Sequence, residues 1–252
     1  MEPERITSAK NPLISHIRKL QNDRAYRVAQ QQFVADGRKL LDEALRWGPE
    51  LCAVVCAEGF ACPELPPQVR RVVVPESLMQ SLSSMRTPQG VVFTARLPQP
   101  QSLRLTGGTL LLDRIQDPGN LGTILRTADA FSVPVVLAEG CADPYSEKTV
   151  RASMGAVFRT PPQSVKNDEL IALCRARGLR ITATALSNAA QDIRSLCLRD
   201  DVVVIGSEGQ GVCSEFLNAA ERHMIIPMNP RCESLNAATA AAIVLWQMHT
   251  GG

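Results

Sequence analysis

Five apolar runs in the second half of the chain constrain its fold more than any other feature: TLLLD (109–113), VPVVLA (133–138), RITATAL (180–186), DVVVIG (201–206) and MIIPM (224–228). Each has the length of a strand and almost no polar alternation, and segments with helical spacing separate them. A strand that is apolar on both sides has to be covered on both faces, as in a parallel sheet sandwiched between helices. The predicted fold class is α/β. Before this region, LPQPQSLRLTGG (97–108) is rich in Pro, Gln and Gly, has no periodicity and reads as a linker. Further upstream come a basic helix within HIRKLQNDRAYR (16–27), then FVADGRKLLDEALRWG (33–48), then the Val-rich strands LCAVVCA (51–57) and RVVVP (71–75). They predict a smaller α/β domain over 1–98, a linker over 99–108 and a larger domain over 109–252.

Charge points weakly to a partner. The net charge of +2 does not advertise nucleic acid, but residues 1–40 hold eight Lys or Arg against four acids. A helix carrying Arg18, Lys19, Arg24 and Arg27, with Arg38 in the same basic block, could lie along a phosphate backbone. An ordinary solvated helix face explains the same charges. The N-terminus opens MEPER without an apolar signal region, and no run is long enough to span a bilayer, so the expected location is cytoplasmic. Eight cysteines form no C-x-x-C pair, and His16, His223 and His249 are not spaced with them as zinc ligands. They are expected to be reduced, small hydrophobic side chains, with no metal.

In open parallel sheets, ligands collect at the carboxyl ends of the strands, and three unusual stretches sit at such ends. DRIQDPGNLGTILRTADAF (113–131) runs from a strand through a tight turn into a helix that buries Leu121, Ile124, Leu125 and Ala128 yet carries Asn120 at its mouth and Arg126. VVVIGSEGQGV (202–212) puts three glycines into six residues, Gly206, Gly209 and Gly211, around Glu208. That allows close approach to a ligand or merely a tight turn, and the spacing is not G-x-G-x-x-G. IIPMNPRCESLNAATAAAIVLWQ (225–247) ends a strand at Pro227 and offers Ser234 as a helix cap, with Asn236, a poor helix former, inside the first turn.

Together and in this order, D-P-G-N-L-G-T-I-L-R-T-A (117–128), G-S-E-G-Q-G (206–211), and I-P-M followed by E-S-L-N (226–236) resemble the SpoU (TrmH-like) RNA ribose 2′-O-methyltransferases of the SPOUT superfamily. KTVRASMGAVFRTP (148–161) is similar to that family's segment between its first two motifs. ITSAKNP (6–12), FVADGRKLLDEAL (33–45) and TPQGVV (87–92) resemble the L30e-like RNA-binding domain that precedes many members. Three departures stand out: Asp36 where Glu is usual, Pro230 where Gly is frequent, and Ala237-Ala238-Thr239 in place of Val-Ser-Val.

The resemblance implies a methyltransferase domain with a C-terminal trefoil knot, a feature that pattern reasoning would not propose. It implies S-adenosylmethionine as cofactor, contacted by Gly206, Ile226 and Leu235 and secondarily by Thr184, Ala185 and Met228. Ordinary core packing is the other reading of Ile226 and Leu235. It also implies a homodimer acting on structured RNA, ribosomal RNA before tRNA. Arg126 would stabilise the attacking ribose oxygen and bind phosphate, Gly122 leaving room for it, while Asn120, Glu208, Ser234 and Asn236 complete a polar pocket. A surface ion pair with Asp129 is the other reading of Arg126. The alternatives at the level of function are a tRNA 2′-O-methyltransferase and a non-catalytic RNA-binding or ribosome-assembly protein. A nucleotide-dependent oxidoreductase is opposed by the glycine spacing.

Overall fold

The computed structural model describes residues 3–99, 102–103, 105–187, 189–207, 209–229, 231–232 and 234–250. In chain order its elements are β1 (Glu4–Arg5), α1 (Pro12–Asn22), α2 (Arg24–Gln30), β2 (Gln32–Asp36), α3 (Arg38–Trp47), β3 (Leu51–Ala57), β4 (Arg70–Val74), α4 (Glu76–Leu82) and β5 (Val91–Arg96). There follow β6 (Thr109–Leu112), α5 (Pro118–Ala130), β7 (Val135–Leu137), α6 (Glu147–Ser153), α7 (Ala156–Arg159), β8 (Gln163–Ser164) and α8 (Asn167–Ala176). The chain closes with β9 (Ile181–Thr184), β10 (Gln191–Asp192), β11 (Val202–Ile205), α9 (Ser214–Ala219), β12 (Arg222–Ile225) and α10 (Ala237–Thr250). Two compact units result: Met1–Pro100 with Tyr145–Arg159, and Gln101–Pro144 with Thr160–Gly252.

The first unit is built on a mixed sheet ordered β1-β4-β3-β5-β2, with β5 antiparallel to both its neighbours. Its basic stretch is two helices rather than one. The chain leaves α1 at Asp23, whose carboxylate accepts the Tyr26 N–H at 3.1 Å and so starts α2. This break moves Arg27 away from the expected basic face. Arg27 is only 5% exposed, and its Nη1 donates to the Leu20 carbonyl at 2.5 Å and the Gln21 carbonyl at 3.2 Å, satisfying the open end of α1. Gly37, at a φ of +113°, separates β2 from α3 inside the 33–48 segment.

Residues 145–159, which the sequence division assigns to the larger domain, group with this first unit. Phe33 meets the rings of Tyr145 and Phe158 at centroid distances of 5.4 and 5.9 Å. Arg159 pairs with Glu43. Arg151 Nη1 donates to Ser84 Oγ at 2.8 Å, and Ser84 Oγ donates to Glu147 Oε1 at 2.6 Å. Beside them Asp36 is buried and accepts from Ser83 Oγ at 2.5 Å. Burial pushes the pKa of both carboxyls, Asp36 and Glu147, upward.

The second unit holds a seven-stranded sheet ordered β10-β12-β9-β11-β6-β7-β8, and every pairing in it is parallel. This is the α/β class that the apolar runs predict. One strand ends sooner than expected: β12 stops at Ile225 rather than at Pro227. Its neighbour β9 ends at Thr184, which pairs with Met224, so no ladder continues beyond that point on that side. β6 lies between β7, which follows it in the chain, and β11, which comes much later. The strand order reverses there, and outside the carboxyl ends of strands at such a switch point is where open parallel sheets bind ligands in a crevice.

Candidate active site

The turn after β6 builds the first wall. Asp117 caps α5 by accepting the Asn120 N–H at 2.8 Å, and Pro118 fits the first turn because it has no N–H to leave unpaired. Leu121, Gly122, Ile124, Leu125 and Ala128 form the buried face of α5. Gly122 therefore sits in the packing rather than simply clearing space for Arg126. Arg126 is exposed and, among the described residues, makes no hydrogen bond or ion pair. The surface ion pair with Asp129 is not formed; Asp129 Oδ1 instead accepts from Thr160 Oγ1 at 3.2 Å.

Asn236 supplies the second wall, from a position the sequence did not reveal. It is not inside the first turn of α10 but is the cap: Oδ1 accepts the N–H of Ala238 at 2.9 Å and of Thr239 at 3.3 Å, and its carbonyl takes the Ala240 N–H. Ser234 is exposed and does not cap. The amide nitrogen of Asn236 remains free for a longer reach and donates to Asn120 Oδ1 at 3.1 Å. One bond thus joins the mouth of α5 to the mouth of α10, two helices that pack along each other.

The third wall is the loop after β11. Gly211 N–H donates to the Ser207 carbonyl at 2.9 Å, and the two residues form an isolated antiparallel bridge. This fold-back brings the backbone so close to Gly206 that an added Cβ would fall 2.1 Å from the Gly211 carbonyl carbon. No side chain fits there, so Gly206 is required by close approach of backbone. Gly206, Ile226, Met228 and Leu235 are all half-buried, and the last three present apolar side-chain surface that the core does not cover. Thr184 and Ala185 lie at the carboxyl end of β9, between β11 and β12. The Thr184 hydroxyl donates to the Val204 carbonyl at 3.2 Å and the Ala185 N–H to the Met224 carbonyl at 3.0 Å. Glu208 and Pro230 lie outside the described residues.

In the first unit the basic candidates separate. Lys19 and Arg24 are exposed, with Lys19 Nζ 5.5 Å from the centroid of the Tyr26 ring. Arg18 Nη2 donates to Ser81 Oγ at 3.0 Å. Arg38 pairs with Asp42 at 2.9 Å and lies over Phe60. Arg27 is buried, as above.

Sequence reasoning passed over three residues at the crevice. Asp113 is wholly buried and its Oδ2 accepts the Cys213 N–H at 2.6 Å; Arg114 donates to Gln210 and Gly211. A charged pair directly after an apolar run was the available signal. Leu186, 78% exposed just past β9, is an apolar side chain at the same edge.

Known proteins share this fold. Residues 108–246 match the SpoU rRNA Methylase family, and residues 11–92 match the MRM3-like substrate binding domain. The 23S rRNA (guanosine(2553)-2′-O)-methyltransferase RlmP of Bacillus subtilis is 30% identical over 97% of this chain and 99% of its own length. The mitochondrial rRNA methyltransferase 3 of Homo sapiens is 28% identical, over 93% of this chain and 71% of its own. The AdoMet-bound rRNA methyltransferase of Sinorhizobium meliloti superposes with a TM-score of 0.85 at 31% identity, covering 97% of each chain. The crevice, its three walls and the unit before it therefore have a family: the chain belongs to the SpoU rRNA methylases.

Proposed function

We propose that this protein methylates a ribose 2′-hydroxyl of ribosomal RNA with S-adenosylmethionine as methyl donor. The observation that carries the reading is the Asn120–Asn236 bond at 3.1 Å, which locks together the mouth of α5, the helix that carries the exposed Arg126, and the mouth of α10. The residues present fit the cofactor. At Gly206 the backbone is packed so tightly that only a glycine is tolerated, and Ile226, Met228 and Leu235 offer half-buried aliphatic surface for a flat base. Gly206, Thr184, Ala185, Ile226, Met228 and Leu235 would hold S-adenosylmethionine, which supplies an electrophilic methyl group when bound.

The chain's own contribution is positioning and electrostatics. A guanidinium keeps its proton at any working pH, so Arg126 acts as a fixed positive charge rather than as a base. It steadies the oxyanion that develops at the ribose and grips the neighbouring phosphate, and water or that phosphate takes the hydroxyl proton. Asn120, held by Asn236, orients the ribose. Ser234 completes the polar pocket.

The finer parts of the reading have separate support. The N-terminal unit, 1–98, would grip structured RNA by shape and by splayed bases, with phosphate contacts from Arg18, Lys19, Arg24 and Arg38; its match to a substrate binding domain and its exposed cations favour this. The methyltransferase domain would span 109–252 after a linker, 99–108, apart from residues 145–159, which group with the first unit. A trefoil knot through the 206–236 region agrees with β9, β11 and β12 being neighbours out of chain order. A homodimer would cover Ile243 and Trp246, 37% and 57% exposed on α10, with Phe131 at 5.9 Å from Trp246. The cytoplasm is the proposed compartment.

The test is transfer of labelled methyl from S-adenosylmethionine to bulk rRNA and tRNA from cells lacking the gene, followed by nucleoside analysis. A 2′-O-methylnucleoside from rRNA is expected. A labelled base, or label in tRNA alone, would overturn the assignment.

A further inference from the structure

Arg114 stands two residues past the end of β6 with a φ of +56°. That left-handed region is unfavourable for a residue with a long side chain, and glycine would occupy it without strain. A cost of this kind persists where the surroundings hold the residue in place, so the contacts of the side chain matter. Nη1 donates to Gln210 Oε1 at 2.9 Å and Nη2 donates to the Gly211 carbonyl at 3.3 Å. The methylene stem lies over Gly140, where an added Cβ would come within 2.9 Å of Arg114 Cγ. The residue before it, Asp113, accepts the Cys213 N–H at 2.6 Å. Two consecutive residues therefore grip the loop after β11 at Gln210, Gly211 and Cys213.

The two grips differ in kind. Asp113 is wholly buried and holds the exit of the loop, where the chain turns into α9. Arg114 keeps 30% of its side chain exposed and holds the turn of the loop itself, the part that folds back against Gly206. Its Nε also lies 3.3 Å from Asp113 Oδ1, a close charge contact that is not aligned as a hydrogen bond. The guanidinium is thus anchored at its base by charge and delivers its fork to the loop.

We infer that Arg114 is a positioning residue: it braces the 206–212 loop in the shape that receives the cofactor, through Gln210 and Gly211, without touching the reacting atoms. The inference rests on the proposed function, which places S-adenosylmethionine on this loop. Without the brace the competent loop shape is populated less, and apparent affinity falls by that fraction. Turnover at saturating cofactor hardly changes, because occupancy restores the loop.

The test uses the full chain with Arg114→Gly and Arg114→Asn, both tolerant of positive φ and unable to reach Gln210, and with Arg114→Lys, which keeps the charge but not the fork. Calorimetry gives the S-adenosylmethionine Kd, kinetics on rRNA give KM and kcat, and hydrogen exchange reports on 206–213. The Gly and Asn variants are expected to raise Kd and KM about tenfold with kcat within about twofold, as a population shift requires. Exchange should quicken at 206–213, and Lys should recover part of the loss. Gln210→Ala should weaken binding alone and add little to Arg114→Gly, since the two act as one unit. Wild-type Kd in the Gly and Asn variants would overturn the inference, as would a lost kcat at unchanged KM. If the wild-type chain does not bind S-adenosylmethionine, it is the functional reading that fails; exchange at 206–213 unaltered by Arg114→Gly would then overturn the brace on its own.

Discussion

The two ends of the parallel sheet treat charge in opposite ways. At the amino end, Asp201 is 1% exposed and fully engaged: Thr182 Oγ1 donates to it at 2.6 Å, Arg180 pairs with it at 3.2 Å and Arg222 at 3.6 Å. Arg180, Asp201 and Arg222 stand at the starts of β9, β11 and β12, and these three charges are paired with one another. At the carboxyl end of the sheet the chain holds Arg114 at positive φ and leaves Gly206 no room for a side chain, and α5, which starts there, carries Arg126 exposed and, among the described residues, unpaired. A buried carboxylate that is paired and hydrogen-bonded serves the fold. A cation kept out of such pairing is available to a substrate. On the proposed function, the sheet divides stability from chemistry along its strands.

Placing a methyl at Gly206 attacks the chemical end most severely. In Gly206→Ala the new Cβ would collide with Gly211 backbone, so the loop must open by an ångström or more. S-adenosylmethionine affinity and methyl transfer should fall by about a hundredfold or more, as such misplacement does elsewhere, while circular dichroism still reports a folded sheet. Calorimetry beside a transfer assay checks this, and unaltered binding would break the comparison. Asp201→Ala attacks the other end. It should remove about 2 kcal/mol, less than a fully buried pair is worth because both arginines reach solvent. The second unit should melt roughly 4–8 °C lower, with kcat unchanged at a temperature where it stays folded. Loss of activity without loss of stability would mean the division is drawn in the wrong place.

The smallest effect lies in the first unit, at the departure from the family pattern. Burial raises the Asp36 carboxyl above its ordinary value of 3.8, so the folded state holds that proton more tightly than the unfolded state. Its contribution to stability is complete below the unfolded value and declines as pH rises through the folded one. Asp36→Asn removes the penalty, giving a slightly higher Tm at pH 7 and no difference near pH 4. A Tm lowered at pH 7 would show that the carboxylate is needed as an ion.

What the sequence made legible follows from what is local. LCAVVCA coincides with β3, and the apolar runs mark β6, β7, β9 and β11, because burial on both faces leaves a continuous signature. β8 and β10 are two residues each and too short to leave one. The candidate-site motifs were readable by residue and order, since Asn120, Arg126 and Asn236 stand out from what packing alone requires and Gly206 belongs to a glycine-rich turn. Their partners were not. The Asn120–Asn236 bond spans 116 residues, and the capping role of Asn236 depends on where α10 begins. Arg27 looked like a surface cation because a helix break at Asp23 cannot be weighed from periodicity; only the geometry shows its guanidinium turned back to α1. Arg114 shows in the sequence only as one of two charges after an apolar run; its positive φ is a product of the packed loop.

The most direct test of the division is Arg126→Ala, assayed for methyl transfer to rRNA and for thermal unfolding on the same sample. Turnover is expected to fall by about 10²–10³, the usual cost of removing one oxyanion-stabilising group, with cofactor binding and Tm unchanged because the side chain has no partner to lose among the described residues. Turnover retained, or lost only in step with a lowered Tm, would contradict the account.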